Sequence, residues 1–312
     1  LPDRTFSPVE TRNLRQVPAF TWRALREGSY TAALETYLED QFPLRDGWMG
    51  LKTRWEWLLG KREFHDVFLC GGALIGRVGE GDRWEQNLGF VDRLAEKTDI
   101  PVYLGLIPTA AEVWKDRLPH GADSADQSAL LKEARGTGAV WADIAGALAA
   151  HSEEPVFYRT DHHWTSLGAY YGYTALLEAM GETPLPLGKA ETVSDDFYGT
   201  LYSSSGVHWV PPDTIERYVR EDAVTVEDVY GGGKHGLYVD SFLEEKDQYA
   251  SFLGGNQPLY IVRNSAASSD KKLLLVRDSY SDSLAPFLCR HFAEIHLLDL
   301  RYNKTSVAQY AA

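Results

Sequence analysis

Two short stretches of this sequence carry side chains that could act together as nucleophile, base and orienting acid. The first, Tyr158-Arg159-Thr160-Asp161-His162-His163-Trp164-Thr165, sets a carboxylate, two imidazoles and an indole side by side. The second, far downstream, is Lys271-Lys272-Leu273-Leu274-Leu275-Val276-Arg277-Asp278-Ser279-Tyr280, where an apolar run ends in Asp-Ser. A serine hydroxyl becomes nucleophilic only with a base in hydrogen-bond reach, and that base works best when a third group fixes its tautomer. Ser279 is therefore the candidate nucleophile, His163 its base and Asp161 the orienting acid. Residues two apart in an extended backbone point to the same side. Asp161 can then reach one nitrogen of His163, while His162 is expected to face the other way.

Ser279 stands where a buried strand gives way to a helical pattern. Backbone N–H groups and the positive dipole end at such a helix start would stabilise a developing oxyanion. Asp278 diverges from its neighbour at the turn and reads as a brace, not as the third member. Blander explanations compete with each signal. Asp-Ser at a strand end more often caps than reacts, and a single exposed His is usually surface. Two adjacent His behind an Asp, however, have no packing rationale. Zinc is the other chemistry that His and Asp suggest. Adjacent His162 and His163 do not easily converge on one ion, and no third-ligand motif accompanies them, so neither metal nor cofactor is expected. The 17 Tyr and 9 Trp could line a sugar cleft, but core and loop packing accounts for most of them.

The elements that must position these residues are legible in outline. Residues 1–60 read as helices with short breaks, starting at Ser7-Pro8-Val9-Glu10, a Ser N-cap with Pro at the first helical position. Apolar spacing predicts further helices over 30–42 and 48–59, with Trp48, Trp55 and Trp57 in core or interface packing. Residues 67–75 form a hairpin turned by Gly71-Gly72, followed by a helix from Trp84 to about Glu96. Residues 100–108 read as a buried parallel strand. Thr165 caps a helix that Gly181 closes. Pro, Gly, Ser and acidic residues dominate 184–270, where short strands and long loops are expected. Strand 272–276, helix 281–291 and strand 294–300 then complete a strand–helix–strand unit. The expected fold is one α/β domain spanning 1–312, with a mainly parallel sheet flanked by helices, the 1–60 segment packed on it and 184–270 as an irregular insertion.

Bulk composition narrows the partners. A net charge of −14 disfavours nucleic acid, whose binding rests on Lys and Arg neutralising phosphates. No apolar stretch reaches the length of a membrane span. Cys70 and Cys289 are either one disulfide or two buried thiols, with the second favoured.

At Thr160-Asp161-His162-His163-Trp164-Thr165 the sequence resembles the DHHW protein family of Gram-positive bacteria, named for this motif. Asp40-Gln41-Phe42-Pro43 with Arg45, Gly199-Thr200-Leu201, Phe252-Leu253-Gly254-Gly255-Asn256, Asp278-Ser279-Tyr280 and Asp299-Leu300-Arg301-Tyr302 extend the resemblance along most of the chain. That family is similar to the SGNH-like alginate O-acetylation proteins, whose Asp-X-His-Trp and later Ser-Tyr-Ser match Asp161, His163, Trp164, Ser279, Tyr280 and Ser281. The resemblance implies an SGNH-hydrolase-like fold of permuted connectivity, because Asp and His precede Ser. It also implies an exported protein, with a membrane tether outside the given sequence, that acts on a cell-surface glycan with an acetyl donor. An esterase or deacetylase with the same triad, and a non-catalytic glycan-binding or scaffold protein, are the alternatives. Tyr280, Trp164, Gly255 and Asn256 are the substrate or oxyanion candidates. Arg277 stands where Lys or Gly is expected.

Overall fold

The computed structural model of the protein describes residues 2–7, 12–220 and 223–311. Its largest sheet has five strands in the spatial order Lys234–His235, Val224–Asp228, Leu259–Asn264, Glu294–Leu298 and Lys272–Val276. Lys272–Val276 pairs parallel with Glu294–Leu298, as a strand–helix–strand crossover through Ser281–Leu288 requires. The other three pairings are antiparallel. One further parallel pair, Tyr103–Leu104 with Val140–Trp141, lies apart among smaller two-stranded sheets. The architecture is thus mixed α/β with small sheets, and the expectation of a mainly parallel sheet is corrected. Its physical origin is the 184–270 stretch, which supplies three of the five strands. Leu259–Asn264, at the sheet centre, is paired antiparallel on both sides. The Lys272–Val276 strand that feeds Ser279 is left at the sheet edge.

Local signals hold where the chain's own chemistry decides the conformation. Val67–Cys70 and Ala73–Gly76 form the hairpin, and Gly71 and Gly72 turn it at φ of +55° and +92°, which L side chains rarely adopt. The Ser166–Ala179 helix starts at Thr165, whose hydroxyl accepts from the Gly168 N–H, and Gly181 follows its end at φ +71°. Most of that helix is buried, and with Trp164, Phe287, Ile295 and Leu297 it belongs to the main core. Apolar residues around most of its circumference suit such a buried position. Cys70 and Cys289 are both free and buried. Residues 100–108 form a strand only at Tyr103–Leu104. No helix among the described residues is long and apolar enough to cross a membrane.

The N-terminal segment departs further from expectation. Ser7 is not a helix cap but part of a two-residue strand, Phe6–Ser7, paired with Arg12–Asn13. Pro8, Val9 and Glu10 lie outside the described residues. Ser29–Asp40 and Arg45–Leu58 are helices as the spacing predicts, yet their buried residues are Asp40 and Thr53. Trp48 and Trp55 are 56% and 63% exposed, so they are not core. Trp57 meets the ring of Trp209 at 6.2 Å.

Candidate active site

The loop bearing Asp161 is built from buried polar contacts. A bridge between Phe157 and Trp164 closes it, reinforced by the Tyr158 N–H donating to the His163 carbonyl. Inside, the buried Asp213 carboxylate accepts from the backbone N–H groups of Arg159 and Thr160, both at 2.8 Å. The backbone of 161–163 is not extended. Asp161 Oδ1 accepts from the His163 N–H at 2.9 Å, folding the loop over its own side chain. This turn sets His162 beside His163, ring centroids 3.8 Å apart, and not facing away as an extended loop would require. The second Asp161 oxygen sits at the start of the Thr200–Ser205 helix, accepting from the Thr200 N–H at 2.8 Å and its hydroxyl at 2.9 Å. Only glycine fits at the preceding position. A Cβ on Gly199 would lie 2.2 Å from the Asp161 Cβ.

Across this loop stands the turn between Lys272–Val276 and Ser281–Leu288. His163 Nδ1 donates to Asp161 Oδ1 at 2.6 Å, and His163 Nε2 accepts from Ser279 Oγ at 2.8 Å. Asp161 and His163 are 3% and 6% exposed, whereas Ser279 is partly open to solvent. Burial pushes the Asp161 carboxyl up. The His163 hydrogen bond, the nearby imidazoles and the Thr200 N–H outweigh it and hold the group well below the usual carboxylate range. A charged Asp161 orients the imidazole with its proton on Nδ1, which leaves Nε2 free to accept the serine proton. Burial lowers the pKa of His162, with Asp161 pulling the other way, and its Nδ1 donates to Thr200 Oγ1 at 2.7 Å.

Several side chains lock the two loops together. Trp164 Nε1 donates to the Tyr280 carbonyl at 2.9 Å, and the Tyr280 hydroxyl donates back to the His162 carbonyl. Trp164 is fully buried, so it is a clamp and offers no surface to a substrate. Asp278 Oδ1 accepts from the Tyr280 N–H at 3.0 Å, bracing the turn. Arg277 is fully buried and pairs with the carboxylate of Asp282 on the following helix. Asn256 Oδ1 accepts from Arg301 Nη2 at 2.9 Å and lies 3.5 Å from Arg277 Nη1. Gly255, at φ +88°, shapes the adjoining turn. Among the described residues, no hydrogen bond brings Gly255 or Asn256 to Ser279 Oγ. Asp161, His162 and His163 are the described group with metal-ligating side chains close together. Both Asp161 oxygens, both His163 ring nitrogens and His162 Nδ1 are already engaged with one another, Ser279 and Thr200.

One neighbour had no signal in the sequence. The Tyr249 ring stacks on His163, with centroids 3.9 Å apart and planes 9° apart. Its hydroxyl donates to the Ser279 carbonyl at 3.1 Å and bonds Ser283 Oγ at 3.0 Å. A single buried side chain thus touches both the imidazole and the serine backbone. Asp213 is likewise silent in sequence, whereas Thr200 is marked by the Gly199-Thr200-Leu201 match.

Comparison with known proteins bears on the family and the fold. The DHHW protein family matches residues 86–298. The chain is 27% identical over 180 residues to the probable alginate O-acetylase AlgJ of Pseudomonas aeruginosa, covering 50% of this chain and 44% of that protein. It therefore spans less than half the length of that curated relative. A DHHW family protein from Eubacterium siraeum superposes with a TM-score of 0.65 at 23% identity, over 80% of this chain and 89% of that one. PatB1 of Bacillus cereus, solved with a sulfonyl adduct, gives 0.60 at 17% identity, over 78% and 88%. These likenesses are of fold. On the family match, the chain belongs to the DHHW protein family.

Proposed function

We propose that this DHHW family protein is a serine O-acyltransferase that moves an acetyl group to a hydroxyl of a cell-surface glycan. The observation that carries the reading is the unbroken hydrogen-bond chain Asp161–His163–Ser279, ending on a serine that is partly open to solvent. Similarity to a protein described as a probable alginate O-acetylase supports the choice of reaction.

In the first half-reaction, Ser279 Oγ attacks the acyl carbon of an ester or thioester donor as His163 Nε2 takes its proton. His163 returns that proton to the leaving group as the old acyl bond breaks, leaving acetyl-Ser279. In the second, a sugar hydroxyl gives its proton to His163 and attacks the acetyl carbon. The product ester departs, and the proton returns to Ser279. Asp161 stays ionised throughout and stabilises the imidazolium that forms twice. Water entering in place of the sugar would make the same site an esterase, so acceptor binding and water exclusion decide between transfer and hydrolysis. The reading puts the reaction outside the cytoplasm, where such glycans lie.

The test is incubation with 4-nitrophenyl acetate, with and without oligosaccharide acceptors, followed by mass spectrometry of intact protein and sugar. An acetyl group on Ser279 that moves to the sugar is the expected result, with nothing trapped on Ser279→Ala. Acetylation that persists in Ser279→Ala would overturn the reading. Turnover should survive EDTA, and loss on chelation with recovery on adding zinc would favour a metal at Asp161, His162 and His163 instead.

A further inference from the structure

We infer that Tyr198, Tyr202 and Lys246 form a saccharide subsite beside Ser279, which takes a sugar carrying an anionic substituent. The inference rests on the acyltransfer reading and names the acceptor's chemistry. The rings of Tyr198 and Tyr202 lie 4.4 Å apart, inclined at 44°. The Lys246 ammonium sits over both, 5.9 Å from the Tyr198 centroid and 5.6 Å from that of Tyr202. All three side chains are partly exposed.

What marks Lys246 is its place over two phenol rings, partly buried and with no carboxylate opposite it among the described residues. The chain has 45 acidic residues against 31 Lys and Arg, so carboxylates outnumber cations overall. Lys246 has no ion pair among the described residues, and burial lowers its pKa with no carboxylate acting in the other direction. A cation half out of water and unmatched by a carboxylate is costly, and an arriving anion would relieve that cost. Tyr202 packs between Tyr198 and His208, 4.9 Å from the latter, so the partly exposed Tyr198 ring is the apolar surface left for a sugar ring's C–H face, with the ammonium placed for a carboxylate or phosphate on that ring. For a protein of net charge −14, a local cation is what would hold an acidic polymer against the repulsion of the whole surface.

Both elements carrying the subsite also touch the reacting groups. Tyr198 and Tyr202 flank Gly199 and Thr200, whose backbone packs on and hydrogen-bonds Asp161. Lys246 precedes by three residues Tyr249, which stacks on His163. Three residues span at most about 11 Å of chain. His162 and Thr200, both exposed and hydrogen-bonded to each other, lie along the Asp161 side of the site. A polymer crossing this rim would bring one of its hydroxyls towards Ser279 while a neighbouring ring rests on Tyr198.

The test measures binding to the whole chain by titration calorimetry. One pair of ligands is an oligogalacturonide and its methyl ester. The other is a phosphorylated maltooligosaccharide and its unphosphorylated parent. The wild type should bind a charged member about tenfold or more tightly than its neutral counterpart. Which pair shows the preference tells carboxylate from phosphate. Lys246→Met should bring the charged ligand down to the affinity of the neutral one, and Lys246→Arg should keep most of the preference. Tyr198→Leu should weaken charged and neutral ligands alike. Equal binding within each pair, no binding of any of the four, or a preference untouched by Lys246→Met would overturn the inference. Acetyl capture on Ser279 from 4-nitrophenyl acetate needs no acceptor. It therefore reports failure of the acyltransfer reading separately from failure of the subsite.

Discussion

The Asp161 loop and the N-terminal helices show two opposite ways of spending sequence. Residues 158–163 have no regular secondary structure of any length, yet Asp161 and His163 are buried and hydrogen-bonded on both sides. Ser29–Asp40 and Arg45–Leu58 are regular throughout, yet leave Leu38, Trp48, Trp55 and Leu58 more than half exposed. Helical periodicity is enough to make a helix, but burying its apolar stripe needs a partner that these helices largely lack here. The site needs no periodicity, because each backbone group is fixed by a named side chain. Order therefore comes from backbone regularity in one region and from satisfied buried polar groups in the other.

The largest effects should fall on the irregular region. Ser279→Ala should cost about 10³-fold or more in acyl transfer, with stability nearly unchanged, since the residue is partly exposed. His163→Ala should cost as much activity and also about 1–3 kcal/mol of stability, because it leaves the buried Asp161 short of its main partner. Trp55→Ser, in the regular region, should stay within about 0.5 kcal/mol and leave turnover within about twofold. Paired denaturant titrations and initial rates would check all three. A Trp55→Ser loss matching that of His163→Ala would erase the contrast between the regions.

Next in size is the close approach of Gly199 to Asp161. Gly199→Ala should force the Thr200–Ser205 helix away from the carboxylate at a cost of about 1–3 kcal/mol. Turnover should fall with it, because Asp161 loses its Thr200 donors. If the variant melts and turns over like the wild type, the loop is less tightly built than the contacts imply.

Tyr249 should give a smaller, two-part effect. Tyr249→Phe keeps the ring on His163 and removes the hydrogen bond to the Ser279 carbonyl, so about tenfold in kcat is expected with little change in KM. Tyr249→Leu also removes the stack that holds the imidazole plane, and should lower kcat further than Tyr249→Phe does. A Tyr249→Phe variant with wild-type kcat would mean that the hydroxyl only fills space.

Legibility in the sequence divides along the same line. Asp161, His163 and Ser279 could be named because their types and order have few other uses, and the structure brings their side chains together. The Gly71-Gly72 hairpin and the Thr165 cap were legible because each is decided within a few residues. Tyr249 and Asp213 were not, since a buried tyrosine or aspartate gains its role only from what the fold sets against it. Strand direction escaped for a related reason. The 184–270 stretch reads only as short strands and long loops, and Leu259–Asn264 within it takes its antiparallel partners from separate parts of the chain. Trp48 and Trp55 misled because helical spacing states which side is apolar and not whether anything covers it.

Outside the site, the smallest loss expected from removing a buried partner belongs to Asp40, a strongly held carboxylate of the N-terminal region. Arg12 donates to both oxygens of the buried Asp40, the Arg15 N–H adds a third bond at 2.8 Å, and the carboxyl is held down at about 2. A carboxyl whose folded pKa lies below its ordinary value of 3.8 stabilises the fold fully above that value. The contribution is lost as pH falls from about 4 towards 2. Arg12 is 40% exposed, so solvent screens the pair and the contribution is on the order of 1 kcal/mol. Asp40→Asn should therefore be less stable than the wild type by about that amount at neutral pH. The gap between the two should close between about pH 4 and 2, because the wild-type carboxyl then loses its charge as well. Urea melts followed by tryptophan emission suit the measurement, since Trp22, Trp48, Trp55 and Trp57 all lie in this segment. A gap that stays constant through that window would mean that Asp40 acts by shape and hydrogen bonding alone. The regular region would then have no electrostatic anchor comparable to Asp161.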